Sequence, residues 1–438
     1  MTFPRYSEYR NSGVDWLGTV PLSWSVGRLK HLLRIRGGQD YKTVESYVPT
    51  EFPVIGSGGQ FAYATDYLYD GESVLLGRKG TIDKPLYISG KFWTVDTMFY
   101  TEVLPGTHGR YAYYLATTIP FVLYSTNTAL PSMSQFDLAN HALPLPNKTE
   151  QTQIARFLDH ETAKIDALIR EQEHLIALLQ EKRQAVISHA VTKGLDPNVP
   201  MKDSGVEWLG EVPEHWLVAG FKKHLEPIVD YRGKTPTKTE SGVFLVTARN
   251  IKNGVIDYSL SQEFISESDY EEVMRRGAPK IGDVLFTTEA PLGEVAQIDD
   301  ETIALAQRII KFRGLPDFID NAYLKLFLQS SPFQQGLMTF ATGSTALGIK
   351  SDRLGYLRQL IPPISEQQKI VISVSQETKR YEQLMTAAKE GIEFMRERRS
   401  ALISAAVTGK IDVREWQPPA DDSAFDEEIR QAGIEVAV

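Results

Sequence analysis

There is no cysteine among the 438 residues, which excludes disulfides and thiolate metal sites. No window offers about 18 uninterrupted apolar residues, so no membrane-spanning helix is expected. The opening stretch MTFPRYSEYRNSG lacks the apolar core of a secretory signal, and a cytoplasmic location is the expectation. Histidine is sparse, with eight scattered copies and none paired at metal-ligand spacing. There is no Walker A motif, no HExxH, and no Asn/Asp-Pro-Pro-aromatic tetrad of the kind used for amino-methyl transfer. Gly56-Ser57-Gly58-Gly59 lacks the Lys-Ser/Thr that completes a phosphate loop and opens a strand, so it reads as a turn. Asn147-Lys148-Thr149 fits a glycosylation sequon but has no signal peptide to make it relevant. The chain is therefore expected to be no enzyme and to hold no metal.

What is present is ordinary in bulk: 42 % hydrophobic and 24 % charged residues, enough for two or three domains. The net charge of -9 looks wrong for a nucleic-acid binder. However, the stretch from Glu415 to Val438 holds seven acids and one arginine, which is -6 of the -9. DNA affinity depends on where cations face phosphates, so the total neither argues for DNA nor excludes it.

The chain is written twice. SGVDWLGTVPLSW (12–24) and SGVEWLGEVPEHW (204–216) agree at nine of thirteen positions, two tryptophans included, at an offset of 192. TEQTQIARFLDHETAKIDAL (149–168) aligns with SEQQKIVISVSQETKRYEQL (365–384) at an offset of 216. That offset holds through KRQAVISHAVTKGLD (182–196) and RRSALISAAVTGKID (398–412). The second copy thus carries 24 more residues, all inside its body. The frames repeat and the bodies between them differ.

The segments after each body read as helices of about 40 residues, or ~60 Å. Heptad placement puts Ile154, Leu158, Ile165, Leu168, Leu175, Leu179 and Val186 on one seam. The second copy matches it with Ile370, Val374, Tyr381, Leu384, Met395 and Leu402. Gln172, Lys182, Gly391 and Arg398 interrupt it. Two such helices in one chain could pair antiparallel; the alternative is two amphipathic helices, each packed on its own body. The bodies read as strands broken by glycine turns, at 52–65, 72–82 and 92–104 and at 242–251, 282–298 and 302–312. In each, a short helix follows (110–118 and 321–330), then a polar loop (127–138 and 341–354).

Gly-adjacent basic turns and small polar loops are the candidate DNA contacts. In the first body these are Arg36, Gln39 and Lys42; Ser57, Gly58 and Gly59; Arg78, Lys79 and Lys84; and Ser132, Ser134 and Gln135. In the second they are Arg232, Lys234 and Lys238; Arg249, Asn250 and Lys252; Gln307 and Arg308; and Ser344, Thr345 and Lys350. Arginine and lysine position on phosphates, while Arg, Asn and Gln can also address guanine or adenine edges. The alternative for each cation is a solvated surface charge, and for the loops ordinary capping.

The tandem layout resembles the specificity subunits of Type I restriction-modification systems, over residues 12 to 412. The resemblance rests on the two SGVxWLGxVPxxW lead-ins, GRKGTI at 77–82, the polar loop ending in LPLP or IPP, and the EQxxI…ET…KR…AVT helix. It implies an α+β fold: two mixed α/β target-recognition domains (1–149 and 197–365) separated by spacer helices (150–196 and 366–412) pairing as an antiparallel coiled coil. An acidic tail (413–438) follows. Each domain would read one half of a bipartite, asymmetric double-stranded DNA target. The helices would dock two methyltransferase subunits, and restriction/translocase subunits would join them. S-adenosylmethionine, ATP and Mg2+ would sit on those partners, none on this chain. Two rivals remain: the specificity subunit of a smaller Type IIB/IIG-like restriction system, and a coiled-coil scaffold that binds protein only.

Overall fold

In the computed structural model, residues 3–47, 49, 52–124, 131–231, 236–343 and 347–419 are described. The chain forms two compact units. One joins Met1–Glu173 to the segment from Lys389 onward; the other is the continuous stretch His174–Ala388.

In the first unit, strand Ser73–Gly77 is buried along its whole length, as its unbroken apolar run requires. It lies between Leu86–Ile88 and Met98–Val103, and Leu33–Gly37 closes this four-stranded antiparallel sheet. A second sheet contains the tight hairpin Phe52–Gly56/Gly59–Ala64. The parallel pairing of Lys91–Thr94 with Phe52–Gly56 extends it. The glycine run at 56–59 is thus the turn its sequence indicates.

The second unit repeats this plan in unrelated sequence. Val284–Thr288, again fully buried, sits between Ile309–Phe312 and Leu292–Gln297. Its other four-stranded sheet also holds a parallel pair, Val243–Val246 with Ala304–Leu305. The bodies therefore share a topology although their residues do not align. The longer second body includes a small hairpin, Ile251–Lys252/Val255–Ile256, and a ten-residue helix, Ser331–Phe340.

The repeated frame explains the repeated residues. Trp24 is buried and donates its indole N–H to Glu150 Oε1 at 3.0 Å; Tyr6 donates its hydroxyl to the same oxygen at 3.0 Å. In the second unit Trp216 donates to Glu366 Oε1 at 3.1 Å, and His215 meets the other carboxylate oxygen at 2.8 Å. The neighbouring Gln151 and Gln367 fasten each body, accepting from the amides of His108 and Asp320 and donating to the carbonyls of Pro146 and Pro362. Asn147, the sequon residue, caps the first long helix: its side chain accepts from the Glu150 amide at 2.9 Å.

The helices end on Gly194 and Gly409, both left-handed (φ 79° and 72°), a conformation that favours glycine. A Cβ on Gly409 would lie 2.4 Å from Pro21 and 3.1 Å from Trp24. Lys193 donates to the carbonyl of Glu211 and Lys410 to that of Thr19. Those carbonyls occupy the same place in the two lead-ins, although the Lys-Gly order is reversed. Each lead-in therefore packs on the helix end contributed by the other copy.

The two long helices, Lys148–Lys193 and Ile364–Val407, run antiparallel within each unit. In the first unit Arg399 Nε lies 2.9 Å from Asp166 Oδ1, an ion pair out of hydrogen-bond alignment, and Arg396 reaches Glu173 at 3.5 Å. In the second unit Arg183 meets Glu382 at 3.5 Å. Arg183 and Arg399 are equivalent residues of the two copies, as are Asp166 and Glu382, so one ion pair is made twice.

The seam departs from the heptad expectation. Leu168, Leu175 and Leu384 are 41 to 49 % exposed. A row of buried and half-buried positions runs through Ile165, Ile169, Gln172, Ile176, Leu179 and Arg183, matched residue for residue by Tyr381, Met385, Ala388, Ile392, Met395 and Arg399. The spacing of four and three is kept, but one of its two rows moves one residue along, so Lys182, Gly391 and Arg398 interrupt nothing. Toward their ends the helices become walls of the bodies. Ile154, Leu158 and the half-buried Leu402 join the first unit's core; Ile370, Val374 and the half-buried Val186 join the second's.

Candidate nucleic-acid interface

In each unit the end of the buried central strand turns and is fastened to the polar loop. In the first, Met133 donates its amide to the Arg78 carbonyl at 3.0 Å, Lys79 bridges to Ser132, and Gly80 donates to the Pro131 carbonyl at 3.0 Å. In the second, Ile349 donates to the Thr288 carbonyl at 2.9 Å and Glu289 bridges to Gly348. The residue just before a neighbouring strand braces each turn: Arg78 donates its amide to Thr97 O at 2.9 Å, and Thr288 donates to Arg308 O at 2.8 Å. These bonds equate Arg78 with Thr288, Lys79 with Glu289, and Thr97 with Arg308. The two units thus present the same backbone device with different charges on it.

The first unit's turn carries two exposed cations. Arg78 donates to the Asp96 carbonyl at 3.3 Å and lies over the Phe99 ring at 5.8 Å; Lys79 and Lys84 face solvent. Ser134 caps the short helix Gln135–Asn140, accepting from the Asp137 amide, and Gln135 donates to the Ile35 carbonyl at 2.9 Å. Gln135 holds the loop against the sheet, while Ser134 is spent on the cap. Arg36 is exposed on strand Leu33–Gly37 but donates to Glu102 at 2.7 Å, so its charge is already met. Gln39 and Lys42 are exposed nearby. Ser57, Gly58 and Gly59 form the hairpin tip in the other sheet.

In the second unit Arg308 and Glu289 lie side by side, Nε to Oε2 at 3.8 Å, both about half exposed. Sequence inspection for cations selected Arg308 and passed over Glu289. Lys350 is exposed on the polar loop, and Gln307 precedes Arg308, half-buried. Lys238 pairs with Glu263 at 2.8 Å, while Arg249 and Lys252 are exposed at the small hairpin. Asn250 is not a contact. Its side chain is 0 % exposed; its oxygen accepts from the amide and hydroxyl of Thr247, and its nitrogen donates to the carbonyls of Asp257 and Ser261. All its hydrogen-bonding capacity is spent on holding the turn. Arg232, Lys234, Ser344 and Thr345 lie outside the described residues. Among the described residues no cluster of His, Asp and Glu could hold a metal ion. Among the described residues no helix is long and apolar enough to cross a membrane.

The family model of the Type I restriction modification DNA specificity domain matches this chain twice, over residues 21–176 and 224–393. A Type I restriction enzyme MjaVIII specificity subunit from Methanocaldococcus jannaschii is 24 % identical over 426 residues, which covers 90 % of this chain and 94 % of that one. The EcoKI specificity subunit of Escherichia coli is 27 % identical over 256 residues, 56 % of this chain and 51 % of that one. Among solved structures, a chain from a study of complex assembly and conformational transition in the type I R-M system has a TM-score of 0.64 at 14 % identity. It covers 89 % of this chain and 98 % of that one, and shows a shared fold.

Proposed function

Because the chain belongs to the Type I restriction-modification DNA specificity family, we propose that its two units each read one half of a split DNA target on behalf of catalytic partners. The observation that carries this is the duplicated strand-end turn and polar loop, one backbone device bearing different side chains in each unit. A device kept in form and changed in charge suits two readers of different sequence. The chain supplies recognition and no chemistry of its own. S-adenosylmethionine, ATP and Mg2+ belong on the partners in this reading.

Two methyltransferase subunits are the proposed occupants of the long helices, with restriction/translocase subunits joining that core. What supports this docking is apolar surface left off the seam: Leu168 in the first unit, and Leu175, Leu178 and Leu384 in the second, are 41 to 49 % exposed. The test is methylation-site sequencing of DNA from cells that express this chain with its partner methyltransferase. The expected result is one asymmetric motif of two specified blocks flanking an unspecified gap. Purified chain that methylates DNA without a partner, or a complex that leaves no footprint on DNA, sinks the proposal.

A further inference from the structure

We infer that Glu289 and Arg308 are the base-reading pair of the second unit: Arg308 donates to the acceptor edge of a guanine, and Glu289 accepts from the exocyclic amine of a cytosine in the same half-site. This rests on the specificity-subunit reading and assigns residues within it.

The pair is unusual on three counts. First, its backbone is strained. Arg308 holds φ at +71° and Ala290, next to Glu289, holds φ at +46°, a region L side chains rarely adopt. Second, the Arg308 carbonyl is bonded by Thr288, but among the described residues the two side chains gain little from each other. The ion pair is long, at 3.8 Å, and both partners are about half exposed, so it contributes little to stability. Strained backbone that aims a half-exposed side chain outward is a feature that clusters at functional sites. Third, the carboxylate is in the wrong place for a phosphate contact. Its equivalent in the first unit is Lys79, and the turn there bears two cations.

DNA phosphates repel a carboxylate, so Glu289 is favoured only where it meets a hydrogen-bond donor. The major groove offers such donors in the exocyclic amines of cytosine and adenine, and the cytosine N4 amine is the one that Glu and Asp usually address. Arg308 supplies the fork that matches guanine O6 and N7. Together the two side chains carry no net charge. They release no counterions and add little to non-specific binding, leaving discrimination as their effect.

The test is methylation-site sequencing with the intact complex carrying Arg308→Gly, Arg308→Lys or Glu289→Gln. Glycine suits the φ of residue 308, so Arg308→Gly should melt no lower than the parent chain. Its motif should lose a guanine requirement at one position of one half, by ~10- to 100-fold in discrimination, with the other half unchanged. Arg308→Lys keeps the charge without the fork and should relax the same position. Glu289→Gln should relax a cytosine position in the same half. An unchanged motif in all three variants overturns the assignment, as does a uniform fall in methylation at an unchanged motif, which marks a backbone contact. A parent complex that yields no bipartite motif overturns the underlying reading instead, and the two failures are thereby distinct.

Discussion

Trp24 and Trp216 have lost all but a trace of contact with water, and an indole N–H so placed would be costly without an acceptor. Glu150 and Glu366 supply the acceptor, and so tie each lead-in to the start of a long helix. This is why the pairs of residues recur while their surroundings drift. The first unit also holds a buried histidine at a place where the second has Leu357. His141 is buried, stacks on Trp16 at 5.2 Å and lies 2.6 Å from the Tyr124 hydroxyl. Burial pushes its imidazole down to about 4. Unfolded, it titrates near ~6.5, so between those values the unfolded chain binds the extra proton. The first unit should therefore lose stability as pH falls from about 6.5 to 4, by about 2 kcal/mol after allowance for solvent screening. His141→Phe, which keeps a ring on Trp16, should remove that part of the slope. Melting temperatures of both chains across this range decide it, and identical slopes would assign the acid sensitivity elsewhere.

At the scale of elements, the long helices offer a direct contrast between adjacent residues. Ile169 is 9 % exposed and Leu168 is 49 % exposed. Ile169→Ala should cost the first unit about 2–3 kcal/mol and Leu168→Ala about 0.5 kcal/mol or less in the isolated chain, read by thermal denaturation. Equal losses would return the seam to the leucines. Hydrophobic period alone could not choose between these rows, because Ile169 and Ile176 directly follow Leu168 and Leu175, so rows at both positions keep the four-three spacing. The choice is made by partners distant in sequence, such as Asp166 with Arg399. The helices, the turn at 56–59 and the equivalence of the polar loops were legible from the chain, since they rest on local pattern and exact repetition. The burial of Asn250 was not, because an Asn that knits a turn and an Asn on a surface look alike in sequence. Glu289 was missed because only a fold places a carboxylate where its counterpart carries a lysine.

For the whole molecule, the frame sets where bodies can be exchanged. Strand Ser25–Arg28 pairs with Ala142–Leu145, and Trp16 donates to the Ala142 carbonyl at 3.2 Å. An exchange of residues 29–141 for another member's body keeps that pair intact. It should replace one half of the methylated motif and leave the other, as methylation-site sequencing would reveal; a change in both halves would rule out independent readers. The frame also makes the first unit discontinuous: Ile403, Ala406, Val407 and Val413 lie in the same core as Tyr6, Trp24 and Phe157. Deleting residues from 402 onward should abolish hydrogen-exchange protection across the first unit and spare the second; protection retained in both would show the segment to be dispensable. The same feature reverses the usual order of events during synthesis. The second unit is a single run of chain and has all its parts once Ala388 has left the ribosome. The first body, made earlier, must wait for its wall to be translated last, with Trp24 and its neighbours exposed meanwhile to chaperones and proteases. A nascent chain stalled before residue 402 should thus be digested from its beginning, not from its middle.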